Sequence, residues 1–206
     1  MRAFTPSSKY IVTAFAIFCC LAAGTGTRAL AQAPDRADQS APQTVNESQA
    51  DEITRLFAKL KEADGYDVTR LESEINMAFS RSGSDAMDML LQRGEAAMAA
   101  GDMATAVDHF TALVDHAPEF SAGYASRAAA YFNLGLLGPA VADLRMALAL
   151  EPRNFWAMSG LSVILEETGD PEGARAVSEA IDAIHPNFEG LQETLERLGA
   201  PQGVTL

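Results

Sequence analysis

Three stretches of the chain decide its fold: residues 103–118, MATAVDHFTALVDHAP; residues 137–152, LGPAVADLRMALALEP; and residues 171–186, PEGARAVSEAIDAIHP. Each stretch begins 34 residues after the one before it, has alanine as its fourth residue and ends in proline. Two residue types that keep one interval through three stretches indicate an internal repeat. A period of this length with helical patterning is typical of stacked helix–turn–helix units.

Each repeat is predicted to contain two helices. Within residues 87–120, apolar residues recur at spacings of three, four and seven on both sides of Gly101. Gly101 supplies the left-handed backbone that commonly ends a helix, and Pro118 ends the second helix because proline cannot continue one. The same pattern predicts repeats over residues 121–154 and 155–188.

Small residues are predicted where the second helices cross their neighbours. Ala106, Ala140 and Ala174 hold these positions. A larger side chain there would hold the helices apart, and overpacking of this kind costs roughly 1–3 kcal/mol.

The repeats resemble the tetratricopeptide repeat family, whose pattern is W-x2-L-G-x2-Y…A-x3-F…P. Gly94 matches the glycine of the pattern, and Phe110 matches the phenylalanine. The third repeat departs most, because Ser162 and Ser178 stand at these two positions. The resemblance implies an all-α fold, an α-solenoid of stacked antiparallel helix pairs with end-capping helices. It assigns repeat packing to Gly94, Ala106, Phe110, Pro118, Tyr124, Tyr131, Ala140, Pro152, Ala174 and Pro186.

In that family the first helices of successive repeats line a concave groove that holds a peptide or a helix. By this resemblance the partner-binding residues here are expected to be Leu91, Glu95, Met98, Phe132, Asn133, Trp156 and Glu166. Packing between the second and third repeats is an equally open role for Trp156, and burial is an alternative for Phe132 and Met98. Some family members clamp a terminal carboxylate with basic and amide side chains on these helices.

The residues at the clamp positions point to a different partner. Leu91, Ala122, Trp156 and Gly160 stand there, where the clamp needs polar or basic side chains. An apolar or basic protein segment is therefore a better expectation than an acidic one.

Residues 1–31 have the pattern of a secretory signal peptide. Arg2 and Lys9 precede an apolar run, and Ala29-Leu30-Ala31 offers small residues for cleavage before Gln32. The run is shorter than the roughly 20 residues that span a bilayer, although an uncleaved anchor stays the alternative. Cleavage would also remove the chain's cysteines, so the mature protein would hold no disulfide. Export without disulfides favours a bacterial periplasm.

The chain is acidic, with 15 basic and 28 acidic residues and a formal net charge of −13. Cleavage before Gln32 removes basic residues alone and leaves a charge of about −16. Such a chain is repelled by nucleic acid phosphates and by anionic lipid headgroups. We therefore expect no nucleic acid partner, and no direct membrane binding once the signal is cleaved. Solubility of a helical surface explains the charge better than attraction for a basic partner does.

The remaining segments have weaker patterns. Residues 32–49 are rich in polar residues and proline and are predicted to be a disordered linker. Residues 50–84 are predicted to form a helical pair, either an N-terminal cap of the first repeat or a decayed repeat. Residues 189–198 are predicted to form a capping helix, and residues 199–206 a loose tail.

No catalytic constellation is evident in the sequence, and the prediction is a non-enzymatic protein without cofactor or metal. His109 and His116 could share a helix face as a weak metal site, but a solvated polar face explains them better. The hypothesis is a periplasmic adaptor or scaffold that binds a protein segment in a concave groove. The alternative is an accessory subunit of an envelope complex, tethered by an uncleaved N-terminus. The sequence does not indicate an oligomeric state.

Overall fold

In a computed structural model, the described residues 41–199 fold as an array of α-helices. The prediction of an all-α solenoid of antiparallel helix pairs is confirmed for this part of the chain. The signal at residues 1–31 and the residues after 199 lie outside the described residues. The helices are α1 (Ala41–Leu60), α2 (Tyr66–Phe79), α3 (Asp85–Ala99), α4 (Met103–His116), α5 (Ser121–Asn133), α6 (Leu137–Leu150), α7 (Phe155–Glu167), α8 (Pro171–Ile184) and α9 (Leu191–Gly199).

The three repeats are the pairs α3–α4, α5–α6 and α7–α8. The turn within each pair contains a glycine with positive φ: 79° at Gly101, 72° at Gly135 and 84° at Gly169. L-residues with a Cβ rarely adopt this conformation, so these glycines let the backbone reverse direction at the same point of each helix pair. Ala106, Ala140 and Ala174 are completely buried on the second helices, where the repeats meet.

The periodic prolines end helices rather than fill space between them. The second helices stop at His116, Leu150 and Ile184, two residues before the proline in each repeat. Pro118 and Pro152 are exposed, which corrects their assignment to repeat packing. Proline restricts the residue before it to non-helical conformations. Pro118 and Pro152 therefore determine where the helix ends without contacting the core.

The linker predicted over residues 32–49 is wrong for residues 41–49, because α1 begins at Ala41. Residues 32–40 lie outside the described part of the chain. The physical reason is a tertiary contact: the Gln49 side-chain amide donates to the carbonyl oxygens of Ala78, at 2.7 Å, and Arg81, at 3.1 Å. These bonds hold this part of α1 against the end of α2.

The pair α1–α2 does not cover the first repeat, as the cap prediction required. Its buried side chains share a core with Phe155 of α7, Ile181 of α8 and Leu191 of α9. The separate core of the first repeat contains none of the buried residues of α1 or α2. The pair therefore packs on the third repeat and the C-terminal helix. Its buried residues are Ile53, Leu56, Phe57, Leu60, Leu71, Ile75 and Ala78.

Polar contacts anchor the same pair to the third repeat. The buried His185 Nε2 lies 2.7 Å from Glu72 Oε1 of α2. The Asn187 side-chain amide donates to the carbonyl oxygen of Ala63, at 2.7 Å, in the turn between α1 and α2. Both anchoring side chains lie in the short segment after α8, and they hold α2 and the α1–α2 turn to the end of the third repeat.

The third repeat replaces an apolar contact with a hydroxyl pair. In the first repeat a Cβ on Gly94 would lie 2.2 Å from a ring carbon of Phe110, so glycine makes room for the ring. In the third repeat Ser162 and Ser178 hold these positions, both buried, with their hydroxyl oxygens 2.9 Å apart. Both hydroxyls also lie 3.0 Å from the Ala174 carbonyl oxygen. The two serines are therefore a coupled replacement.

This coupling predicts the outcome of restoring the pattern of the first repeat. Ser178→Phe alone should destabilise the protein by about 1–3 kcal/mol, because the ring meets the Ser162 side chain. Adding Ser162→Gly should recover part of the loss. Urea unfolding of both single variants and the double variant measures the coupling energy. Additive effects of the two substitutions would contradict the proposed pairing.

Candidate partner-binding groove

Two adjoining clefts lie along the first helices of the repeats. The first is roofed by α2, which faces α3, α5 and the start of α7 across a space of about 490 Å³. We call it the roofed cleft. Its lining consists of Thr69, Glu72, Ser73, Asn76, Phe79, Ser80, Leu91, Glu95, Ala122, Ala125, Ser126, Ala129, Asn154 and Trp156.

The amphipathic pattern of α2 explains why its polar side faces this cleft. Thr69, Glu72, Ser73 and Asn76 recur at helical spacing and line the space. Leu71, Ile75 and Ala78 on the other side of the helix are buried in the core with α1 and the third repeat. The packing of the apolar face therefore presents hydroxyl, amide and carboxylate groups to the first helices.

The second cleft lies between α5 and α7, has a volume of about 260 Å³, and is called the apolar cleft here. Phe132 and Val163, exposed by 38% and 49%, stand at its edges. Gly160 of α7 lines this cleft beside Leu144, and a Cβ there would lie 3.7 Å from the Leu144 methyl carbons, an ordinary contact. Its lining, which contains no charged side chain, is Ala125, Ala128, Ala129, Phe132, Asn133, Leu144, Trp156, Ala157, Gly160, Val163 and Ile164.

Trp156 belongs to both clefts and joins them. Its ring centroid lies 4.1 Å from that of Phe155 and 6.5 Å from that of Phe79, with an edge-on geometry toward Phe79. Ala125 and Ala129 are also common to both linings. Because Ala125 and Ala129 are small, no bulky side chain of α5 separates the two clefts, and the clefts adjoin.

An ion pair holds α5 to α6 behind the groove. Arg127 donates to both carboxylate oxygens of Asp143, at 2.7 and 2.8 Å. Its guanidinium carbon lies 5.8 Å from the ring centroids of Tyr124 and Tyr131, at the distance of a cation–π contact. The bidentate geometry fixes the side chain of α5 that faces away from the groove.

Glu95 is the carboxylate of the roofed cleft that no described residue engages. Its side chain keeps contact with solvent, yet the surrounding groove wall desolvates it and raises the pKa of its carboxyl above the ordinary value of 4.5. Glu72, the other acid of the cleft, is held by His185. Glu95 is thus the acid of this cleft that is available to a ligand.

Comparison with known proteins agrees with this architecture. No protein-family model matches the chain. A TPR repeat-containing protein of Rhizobium etli is 26% identical over 147 residues, which cover 71% of this chain and 72% of that protein. The Sgt2 TPR domain from Aspergillus fumigatus superimposes with a TM-score of 0.53 at 27% identity, over 56% of this chain and 78% of that domain. The solenoid therefore has the fold of tetratricopeptide repeat domains.

Two further tetratricopeptide repeat structures share the fold and carry peptides. The first TPR of Spaghetti (RPAP3), bound to an HSP90 peptide, has a TM-score of 0.53 at 24% identity and covers 55% of this chain and 90% of its own. The Yersinia enterocolitica chaperone SycD, with a peptide of the translocator YopD, has a TM-score of 0.53 at 15% identity and covers 56% and 94%. At these identities the likeness is one of fold.

The structure divides the residues expected to bind a partner. Phe132, Asn133 and Trp156 line the apolar cleft, and Leu91 and Glu95 line the roofed cleft. Trp156 does not pack only between the second and third tetratricopeptide repeats, because it also contacts α2. Leu91 is nevertheless buried at 3% exposure, within the core of the first repeat.

Met98 and Glu166 have other surroundings. The half-buried Met98 packs against the core of the first repeat and lines neither cleft. Glu166 pairs with Arg197 of α9. Its carboxylate therefore contacts the C-terminal helix, which corrects its assignment to the groove.

Sequence reasoning missed the contribution of α2 to the groove. Its signal is present, because Thr69, Ser73 and Asn76 are weak helix formers that share one helix face. The pattern of the tetratricopeptide repeat does not extend to residues 50–84, so nothing in it placed this face opposite the first helices. The repeat pattern shows only that Gly160 lacks a clamp side chain, whereas the structure places it in the lining of the apolar cleft.

Within residues 41–199, no group of three or more His, Cys, Asp or Glu side chains is arranged to hold a metal ion. His109 is half-buried and His116 is exposed on α4. In the same part of the chain, no helix combines the length and the apolar character needed to cross a bilayer.

The two helical glycines of the first helices are predicted to respond in opposite ways to the same substitution. Gly160→Ala should stabilise the protein by about 0.5–1 kcal/mol, because alanine favours a helix and its Cβ makes an ordinary van der Waals contact with Leu144. Gly94→Ala should destabilise it, because the ring of Phe110 must move. Thermal unfolding of the two variants tests this, and a loss of stability in both would show that a Cβ does not fit beside Leu144 at position 160.

Proposed function

We propose that this protein is a non-enzymatic scaffold that binds a segment of a partner protein in the groove, as a periplasmic adaptor. The apolar cleft between α5 and α7 carries the proposal. It places the exposed side chains of Phe132 and Val163 beside an uncharged hollow. An aromatic residue at the edge of such a hollow is typical of the few residues that dominate interface energies.

The continuity of the groove favours a protein segment. The apolar cleft, of about 260 Å³, adjoins the roofed cleft, of about 490 Å³, through their shared lining. A space of this size suits bulky side chains of a segment that continues along the groove. The peptides in the Spaghetti and SycD structures support the same class of ligand by analogy of fold.

Export to a periplasm is part of the proposal and rests on the signal pattern of residues 1–31. The second candidate is an accessory subunit that an uncleaved N-terminus tethers to an envelope complex. The favouring observation is the apolar run between Tyr10 and Ala23, which could also act as an anchor. Intact mass of the protein recovered from a bacterial envelope separates the two: a chain that starts at Gln32 supports the adaptor, and a chain that keeps residue 1 supports the tether.

The cleft predicts which substitutions abolish partner binding without unfolding the protein. We expect the double variant Phe132→Ser and Val163→Ser to lose the partners captured by the wild-type chain, because both side chains are exposed and contribute little to the core. The measurement is a cross-linked pull-down from native envelope extract, with partners quantified by mass spectrometry. Met146→Ser is the matched control, since Met146 is exposed by 45% on α6 and lines neither cleft. Full retention of every partner by the double variant would contradict the proposed function.

A further inference from the structure

We propose that α2 forms one wall of the binding site, and that the two clefts together receive one extended segment carrying a basic and a bulky apolar side chain. The basic side chain would lie beside Glu95 in the roofed cleft, and the apolar side chain would enter the apolar cleft. This inference rests on the proposed function and specifies its ligand. It differs from a groove formed by the repeats alone, because the chain's own N-terminal pair supplies ligand contacts.

The charges of the two linings determine which cleft receives the basic side chain of the segment. Neither cleft is lined by Lys, Arg or His, and the acids of the combined lining, Glu72 and Glu95, both lie in the roofed cleft. Glu72 contacts His185, so Glu95 is the carboxylate without a partner among the described residues. A lysine or arginine that enters the roofed cleft meets an unpaired negative charge there. The apolar cleft offers no such partner and would leave a buried charge unpaired.

The side chains on the two walls favour an extended backbone over a helix. An extended segment presents N–H and C=O groups that need hydrogen-bond partners when they leave water, whereas a helix satisfies most of its own. Ser73 and Asn76 of α2 face the cleft from one side, and Ser126 of α5 faces it from the other. Within the described residues their side chains make no hydrogen bonds, so these hydroxyl and amide groups are available to a ligand backbone.

The continuity of the two clefts allows one segment to occupy both. Ala125, Ala129 and Trp156 line both spaces. A chain that leaves the side of Glu95 must therefore cross the edge of Trp156 to reach Phe132. The positive charge of a basic residue beside Glu95 would offset the cost of partly desolvating its carboxylate, which adds to the preference for a basic residue.

The test is selection from a phage-displayed library of random heptapeptides, with the full chain as exported. We expect enrichment of peptides that pair Lys or Arg with Phe, Leu, Ile or Met at a constant spacing. Glu95→Gln should weaken a selected peptide about tenfold, the usual loss for a charge-assisted hydrogen bond, and should remove the basic preference. Glu167→Gln, an exposed acid on α7 outside both clefts, is the control and should change nothing.

A second variant tests the wall formed by α2. Ser73→Phe places a ring in the roofed cleft from a residue that is exposed and outside the core. It should weaken the same peptide while leaving the thermal unfolding temperature close to that of the wild type. Trp156, the chain's single tryptophan, gives an independent readout, because its fluorescence should change when the peptide binds.

The outcomes separate this inference from the proposed function. Enrichment of apolar residues alone, unaffected by Glu95→Gln and Ser73→Phe, would overturn the inference and leave a scaffold that uses the apolar cleft. Peptides that bind equally well when Phe132 and Val163 are both serine would overturn the inference and the proposed function together. Absence of any enriched sequence would also overturn both.

Discussion

The groove depends on an aromatic cluster that joins the two ends of the described chain. Phe155 at the start of α7 lies 6.1 Å from Phe57 of α1 and 5.5 Å from Phe188, measured between ring centroids. Phe79 of α2 meets Trp156 next to it. These contacts bury apolar surface that neither the helix pair nor the third repeat could cover alone. They also place the polar face of α2 opposite the first helices, and the roofed cleft exists only because of this placement.

The repeats themselves show how one backbone tolerates different interiors. Gly94 and Phe110 fill a position that Ser162 and Ser178 fill with hydroxyl groups, and the helix pairs stack in both cases. Arg127 is similar: it stands where the repeat pattern has leucine and is satisfied by Asp143 and two tyrosine rings. A departure from the pattern is therefore compensated by a second residue close in space. Sites without such compensation, such as the apolar cleft beside Gly160, are the ones that suggest a ligand.

The repeat period made the solenoid predictable, because alanine, glycine and proline each act through local geometry that recurs with the sequence. The position of α1–α2 could not be predicted in this way. His185 and Glu72 are separated by 113 residues, and neither carries a signal that names its partner. The same holds for Gln49, whose bonds to backbone carbonyls draw a polar stretch into α1. For the groove, the family resemblance assigned Phe132 and Trp156 to the concave face, but it could not reveal that Glu166 contacts Arg197.

The most direct test of this account is the proton–proton contact between Phe79 and Trp156 in solution. Because Trp156 is the single tryptophan, its indole resonances can be assigned without ambiguity. The account predicts nuclear Overhauser effects from the indole to the ring of Phe79, which Phe79→Leu removes. If the rings of Phe57 and Phe79 instead showed such effects only to α3 and α4, the helix pair would cover the first repeat. The groove would then lack the wall that α2 provides.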